Sequence, residues 1–251
     1  MALTGACPGT VLPQVATGIA SAPYVLLGGL TGGILYSRYG KSLILPPKPN
    51  HTPEAKEIER PTIDQTFGID SRRALALYEA LCLGIVSAVG FLAPDTKDVL
   101  VPGAVGGILI GISPWTSLWL TGNTLGVSTA YEQLGDLFWW LQRIVTSGKR
   151  GPRPSIKSTA FVVGSVLGSF AVGRLLGLSG AESEQEVVIG SLRAVVGGVL
   201  LTFGSRIAGG CTSGHGISGM SLLSVSSFVS VGAMFAGGMG LAAALKLGGS
   251  Q

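Results

Sequence analysis

Two cysteines and a histidine carry the reactive chemistry of this sequence, and glycines surround them. Cys211 and His215 lie close together in Ser205–Gly219, SRIAGGCTSGHGISG, among Gly209, Gly210, Gly214, Gly216 and Gly219. Cys7 has a similar setting near the other end, in GACPGT (Gly5–Thr10). A thiol is a weak donor and a polarizable partner for another sulfur. Glycine-rich turns expose backbone N–H groups that hold anions, and the missing side chain lets a ligand come close. The alternative for each cysteine is a small, buried apolar residue. The Ser205–Gly219 run is too rich in glycine for a stable helix, yet apolar segments flank it on both sides. Irregular backbone at membrane depth is tolerated only where protein buries it or where it lines a cavity. The sequence therefore predicts an unwound loop inside a membrane bundle.

The elements that must position this loop follow from composition. The 251 residues are 47% hydrophobic and only 12% charged, with 40 glycines and a mean hydropathy of +0.53. Soluble domains carry about a quarter charged residues. The expected fold is all-α: a polytopic membrane helical bundle, multi-pass in the cell membrane (plasma or bacterial inner), with the lipid bilayer as its main partner. One transmembrane domain is expected over 1–251, divided into 1–39, a polar cytoplasmic loop at 40–73, and the remainder of the bundle at 74–251. The net charge of +4 sits largely in loops, so it reports topology and not a nucleic-acid footprint. Cys7, Cys82 and Cys211 are odd in number and far apart, which argues against a disulfide framework. His51 lies in the polar loop and no acidic cluster accompanies Cys211, so no metal site and no cofactor are expected. The start, MALTGACPGT, has no basic n-region of a cleavable signal peptide.

Spans are expected at Ala22–Tyr39, Ala74–Ala93, Thr159–Leu178, Val187–Phe203 and Met220–Leu247. Gly28, Gly29, Gly32 and Gly33 give the first span small-residue faces; Gly164, Gly168, Gly173 and Gly177 do the same for Thr159–Leu178. Pro102–Leu120 is apolar but interrupted by Pro114, and Thr121–Tyr131 is too polar and glycine-rich to cross lipid as a helix. Pro102–Ser147 thus reads as a hairpin that enters the membrane, breaks near Gly122–Gly126 and returns, with Trp139 and Trp140 at the interface. Thr121, Asn123, Thr124 and Ser128 could line that hairpin, although such residues also satisfy broken helix ends in any re-entrant loop. Basic residues crowd Gly148–Ser158 and Gly40–Arg73, while the turns at Pro94–Val101 and Ala181–Glu186 are acidic. By the positive-inside rule both basic loops face the cytoplasm.

Placing Cys7 on Cys211 aligns Leu3–Cys7 with Ile207–Cys211, and roughly one span later Gly32–Gly33 falls near Gly237–Gly238. Two cysteine loops, each followed by a glycine-rich helix, are the pattern of an inverted-repeat transporter; chance similarity in so glycine-rich a chain is the alternative. The strings GACPGT, LTGNTLGVSTAYE (Leu120–Glu132) and GGCTSGHGISG (Gly209–Gly219) resemble the signatures of the YeeE/YedE family, in that order and over nearly the whole chain apart from Gly40–Arg73. The resemblance implies uptake of thiosulfate or a related sulfur compound, through inverted repeats of helices and re-entrant hairpins with cysteines in the central loops. In the family each half carries an LGxS-type hairpin before its cysteine loop; here only the second half has one, at Thr124–Ser128. The first half either lacks its amino-terminal part or works without it, and Cys82 maps onto no family position.

Carrying a dianion such as thiosulfate requires donors that hold it without trapping it, and a thiolate would repel it. The expected ligands are Cys7, Cys211 and the loop residues Gly209, Gly210, Thr212, Ser213 and Gly214, with His215 either donating to the anion or satisfying the loop backbone. Arg206, beside the loop, could draw anions inward. Arg193 more readily snorkels toward Glu184 and Glu186, and Glu79 and Glu132 read as capping or pairing within the bundle. Cys82 reads as a small apolar residue of its span. Two other classes stand beside the permease: a membrane sulfurtransferase with a persulfide on Cys211, and a non-transporting subunit that needs a partner chain or a second copy.

Overall fold

Glycine sets where the helices of this chain stop and where they touch. The computed structural model describes residues 2–44, 61–92, 103–122, 126–148, 151–175 and 189–248. In chain order the helices are α1 (Val11–Thr17), α2 (Ala22–Leu35), α3 (Lys41–Ile44), α4 (Ile63–Phe67), α5 (Ser71–Leu92), α6 (Gly103–Thr121), α7 (Val127–Ser147), α8 (Lys157–Leu175), α9 (Ser191–Ile207) and α10 (Val225–Leu247). A π-helical turn, Tyr36–Gly40, joins α2 to α3, and a second spans Gly214–Gly219. Among the described residues the only β pairing is an isolated antiparallel bridge, Thr62 to Ser224. The protein is all-α. Three helices, α5, α8 and α10, are long and apolar enough to cross a membrane, and their large side chains stay exposed, as at Leu83, Phe91, Leu167 and Met239. Such surface is stable against hydrocarbon.

The chain forms two compact units, Met1–Ala55 with Gly126–Gly214 and Ser230–Gln251, and Lys56–Leu125 with His215–Val229. In the first unit α2 packs on α9 and α7 through glycines placed where any side chain would collide with backbone. A Cβ on Gly28 would meet the Val195 carbonyl, and one on Gly32 would lie 2.7 Å from the Val199 carbonyl oxygen. Reciprocally, a Cβ on Gly198 would meet the Val25 carbonyl. Gly33 lies against the Tyr131 carbonyl, and a Cβ on Gly135 would stand 2.6 Å from the Gly33 oxygen. Between lipid-exposed helices dispersion and close backbone approach replace the hydrophobic effect as the cause of association. Each Cα–H facing a carbonyl oxygen adds about 0.5–1 kcal/mol. Ala6, Val11, Val25 and Ala194 form a small apolar core beside these contacts.

Helix ends are closed by left-handed glycines. At the end of α9, Gly209 has φ 78°, its N–H donates to the Arg206 carbonyl (3.2 Å), and the Gly210 N–H donates to Ser205 (2.9 Å). This is a Schellman cap, and it delivers Cys211 directly after the helix. Gly18 ends α1 in the same way, with Ile19 N–H donating to Gln14. Gly209→Ala is expected to cost about 1–2 kcal/mol, the penalty of a Cβ in the left-handed region, read as a lower melting temperature of the detergent-purified protein.

In the second unit, α4 and α5 follow one another across Gly68. The Ser71 and Thr62 hydroxyls hold the Asp64 carboxyl below the usual carboxylate range. Ile63 N–H donates to the Leu223 carbonyl (2.9 Å), and Tyr78 meets Phe228 edge to face.

Several expectations change. Ser205–Gly219 is not unwound throughout: α9 runs to Ile207, and after Cys211 the chain coils again from Thr212 through the π turn. The wider π spacing shifts the hydrogen bonds one residue further along, which a glycine-rich run accommodates. Pro114 does not interrupt α6; the helix is continuous through it, and nearby the Thr116 hydroxyl donates to the Ile112 carbonyl, the kind of side-chain bond that supports membrane helices around proline. The span expected at Val187–Phe203 is a helix at Ser191–Ile207. A Cβ on Gly164, Gly168 or Gly173 would meet nothing within 4 Å among the described residues. The loop 45–60, the turns at Pro94–Val101 and Ala181–Glu186, Gly177, and the candidate ligands Asn123 and Thr124 lie outside the described residues.

Candidate functional site

The two cysteine loops of the first unit meet at a glycine. Cys7 lies in a turn just before α1, where the Thr10 N–H donates to its Sγ (3.4 Å) and its own N–H donates to the Thr10 hydroxyl (2.8 Å). The Cys211 Sγ is hydrogen-bonded to the Ser213 hydroxyl at 3.1 Å. That hydroxyl would lie 3.0 Å from a Cβ placed on Gly9, and the same Cβ would lie 3.7 Å from the Cys7 Sγ. One glycine and one hydroxyl therefore separate the two thiols. Both are buried, Cys7 at 7% and Cys211 at 1% exposure, so water has little access to either.

Tyr131 completes the junction from α7. Its hydroxyl donates to the Pro8 carbonyl (3.1 Å), and it is close enough to interact electrostatically with both thiols. Its ring sits over Gly29, where a Cβ would be 3.0 Å from the ring and 3.0 Å from the Thr202 hydroxyl. Glycine at 29 is thus what admits the tyrosine. Ser128, Thr202 and Ser205 are buried on the same helices, and the Ser205 hydroxyl donates to the Thr202 carbonyl.

Other expected ligands take different places. Thr212 donates to the Met234 sulfur (3.5 Å). It borders a cavity of about 350 Å³ with Pro8, Ser205, Met234, Gly237 and Gly238. That cavity is lined mainly by carbon, a surface for hydrocarbon and not for a hydrated dianion. Gly237 and Gly238 are therefore open where Gly32 and Gly33 are tightly packed. Gly209 and Gly210 build the α9 cap, and Gly214 opens the π turn. His215, in the second unit, is buried with its Nδ1 3.0 Å from the Ser227 hydroxyl. Thr121 is the last residue of α6. Cys82 is exposed on α5, and Arg193 is exposed in the first turn of α9.

Arg206 does not stand alone beside the loop. Glu132 forms an ion pair with its Nη2, Thr129 accepts from its Nη1 (3.3 Å), and its guanidinium lies 5.6 Å from the Tyr36 ring centroid. The π turn after α2 brings Tyr36 to this position and turns Lys41 toward Glu132 and Asp136. Gln133, next in α7, caps α8 by accepting from the Ser158 and Thr159 N–H groups (3.1 and 3.2 Å). No group of three or more metal-ligating side chains occurs among the described residues.

Gly9, Tyr131 and the Glu132–Arg206 pair were not singled out together by sequence. Their signal was present in part, because Gly9 lies inside GACPGT and Tyr131–Glu132 end LTGNTLGVSTAYE.

Three helices long and apolar enough to cross a membrane mark a helical, multi-pass membrane protein. The comparison with known sequences specifies which. The chain belongs to the sulphur-transport family, whose profile matches residues 1–240. It is also similar to a probable transporter of Xylella fastidiosa strain 9a5c, 31% identical over 140 residues that cover 55% of this chain and 89% of the relative. A probable transporter of strain Temecula1 of the same species matches with the same identity and coverage.

Proposed function

We propose that this chain carries thiosulfate or a related small sulfur-containing anion across the membrane, handing it between Cys7 and Cys211 by transient hydrogen bonds. The observation that supports this reading is the junction at Gly9, where the Cys7 sulfur and the Ser213 hydroxyl bonded to Cys211 both lie close to one glycine. Thiols and a hydroxyl are weak donors, able to hold an anion briefly and to release it. Their polarizable sulfurs suit the terminal sulfur of thiosulfate better than they suit sulfate. Under this reading the Cys7 and Cys211 loops are counterparts in an inverted repeat.

The test is uptake of labelled thiosulfate by proteoliposomes containing the full chain. Cys211→Ala is expected to reduce uptake roughly tenfold, equivalent to about 1.4 kcal/mol of lost interaction, with the melting temperature unchanged within error. Equal uptake by wild type and the Cys7→Ala/Cys211→Ala double variant would sink the reading. Mass spectrometry after turnover separates relay from sulfur transfer, since a relay leaves Cys211 without an added sulfur.

A further inference from the structure

Four charged side chains meet inside the first unit, and the thiol pathway uses none of them. Lys41 Nζ lies 3.0 Å from Glu132 Oε1 and 2.8 Å from Asp136 Oδ2, and Glu132 Oε2 pairs with Arg206 Nη2. The Glu132 and Arg206 side chains are only 16% and 14% exposed. Arg206 Nε is buried and makes no hydrogen bond among the described residues. With two cations and two carboxylates the cluster is neutral.

A purely structural cluster of this kind is hard to account for. Buried ion pairs seldom stabilise more than apolar residues of the same volume would, and charges within membrane bundles mark ion pathways or proton relays. The cluster is also joined to the thiols at two points. Glu132 directly follows Tyr131, which holds Pro8 and lies near both cysteines. The Arg206 carbonyl accepts from Gly209 in the cap that presents Cys211.

We propose that Glu132 is the proton site of a proton–anion symport. The arriving anion takes the Arg206 guanidinium, using the free Nε and the vacated Nη2 as a fork for two of its oxygens. Glu132 leaves Arg206 and binds one proton from solution; anion and proton then depart together and the ion pair reforms. This inference rests on the anion reading above. Its physical basis is charge. A dianion entering a neutral cluster adds both of its charges, and a proton on Glu132 removes one. Proton and anion therefore each raise the other's affinity by the same factor. The groups facing Glu132 from the elements around it are Lys41 beyond the π turn, Arg206 and the Tyr36 ring beside it, and Asp136 on α7 itself. Arg38 is stacked on Trp139, and Lys157 at the start of α8 is exposed.

The experiment uses proteoliposomes holding the full chain, labelled thiosulfate outside and a pH-sensitive dye inside. For wild type we expect internal acidification in step with uptake, and uptake that falls as external pH rises, by up to about tenfold per pH unit, the limit for one proton. Glu132→Gln keeps the shape but cannot take the proton; its remaining uptake should be independent of pH and silent to the dye. Glu132→Asp, which retains a carboxylate, should keep both signals. Wild-type uptake without a dye response overturns the inference whether or not either variant assembles. So does a Glu132→Gln profile that follows wild type. Absence of thiosulfate uptake by wild type at every pH would overturn the substrate reading, and this inference with it.

Discussion

Gly28→Ala is expected to separate α2 from α9 and cost at or beyond the upper end of the 1–3 kcal/mol typical of overpacking, that is, about 3 kcal/mol. The added Cβ would run into the Val195 carbonyl, with the Val195 carbon at 2.9 Å and the Gly198 Cα at 3.0 Å. All three are backbone atoms, so no rotamer change relieves the clash and the helices must move apart. Gly198 and Gly32 lie in the same contact and would lose their close approach as well. The proper control is Gly164→Ala on α8, where the new methyl meets nothing within 4 Å. There the change removes a helix-weakening glycine and should raise stability by up to about 1 kcal/mol. Melting of the two variants in detergent, followed by fluorescence-detected gel filtration, checks the pair. Similar melting temperatures for both would contradict the packing described for α2.

Gly9→Ala is expected to close the junction between the thiols while leaving the fold in place. Gly9 does not have a positive φ, so the backbone tolerates alanine. The methyl would press on the Ser213 hydroxyl at 3.0 Å and stand 3.7 Å from the Cys7 sulfur. It would fill the space the proposed relay crosses and push Ser213 from Cys211. Thiosulfate uptake should fall to near background, with stability changed by less than about 1 kcal/mol, since the nearest atom is a side-chain hydroxyl that can rotate. Adding Ser213→Ala removes that clash. Uptake in the double variant should exceed the product of the two single effects, the signature of coupled neighbours in a double-mutant cycle. Independent, multiplicative effects would place Gly9 outside the pathway.

Much of the helical order was legible because it depends on local pattern. The first span, the helix from Ser71 and the last helix were readable from apolar runs and their flanking breaks. The left-handed glycines that close α1 and α9 fall where such runs end. What was not legible depends on partners distant in sequence. Gly33 and Gly164 look alike in sequence, yet one lies against the Tyr131 carbonyl and the other meets nothing. Arg206 looked free beside its loop because Glu132 and Lys41 come from other helices. The π turns at Tyr36–Gly40 and Gly214–Gly219 escaped notice because glycine lowers helix propensity on average and says nothing about which helix type survives. Cys7 and Cys211 stood out by residue type and setting, whereas Gly9 between them has no side chain to draw attention.

The contact between α2 and α9 also constrains how the protein is made. The partners of Gly28 and Gly32, Val195 and Val199, are synthesised long after them. Until α9 leaves the ribosome, α2 can close on α7 but not on α9, and Cys7 waits without Cys211. The junction of the two cysteine loops is assembled only when α9 and the Cys211 turn arrive together. A nascent chain arrested before α9 would leave Gly28 and Gly32 of α2 without their partners.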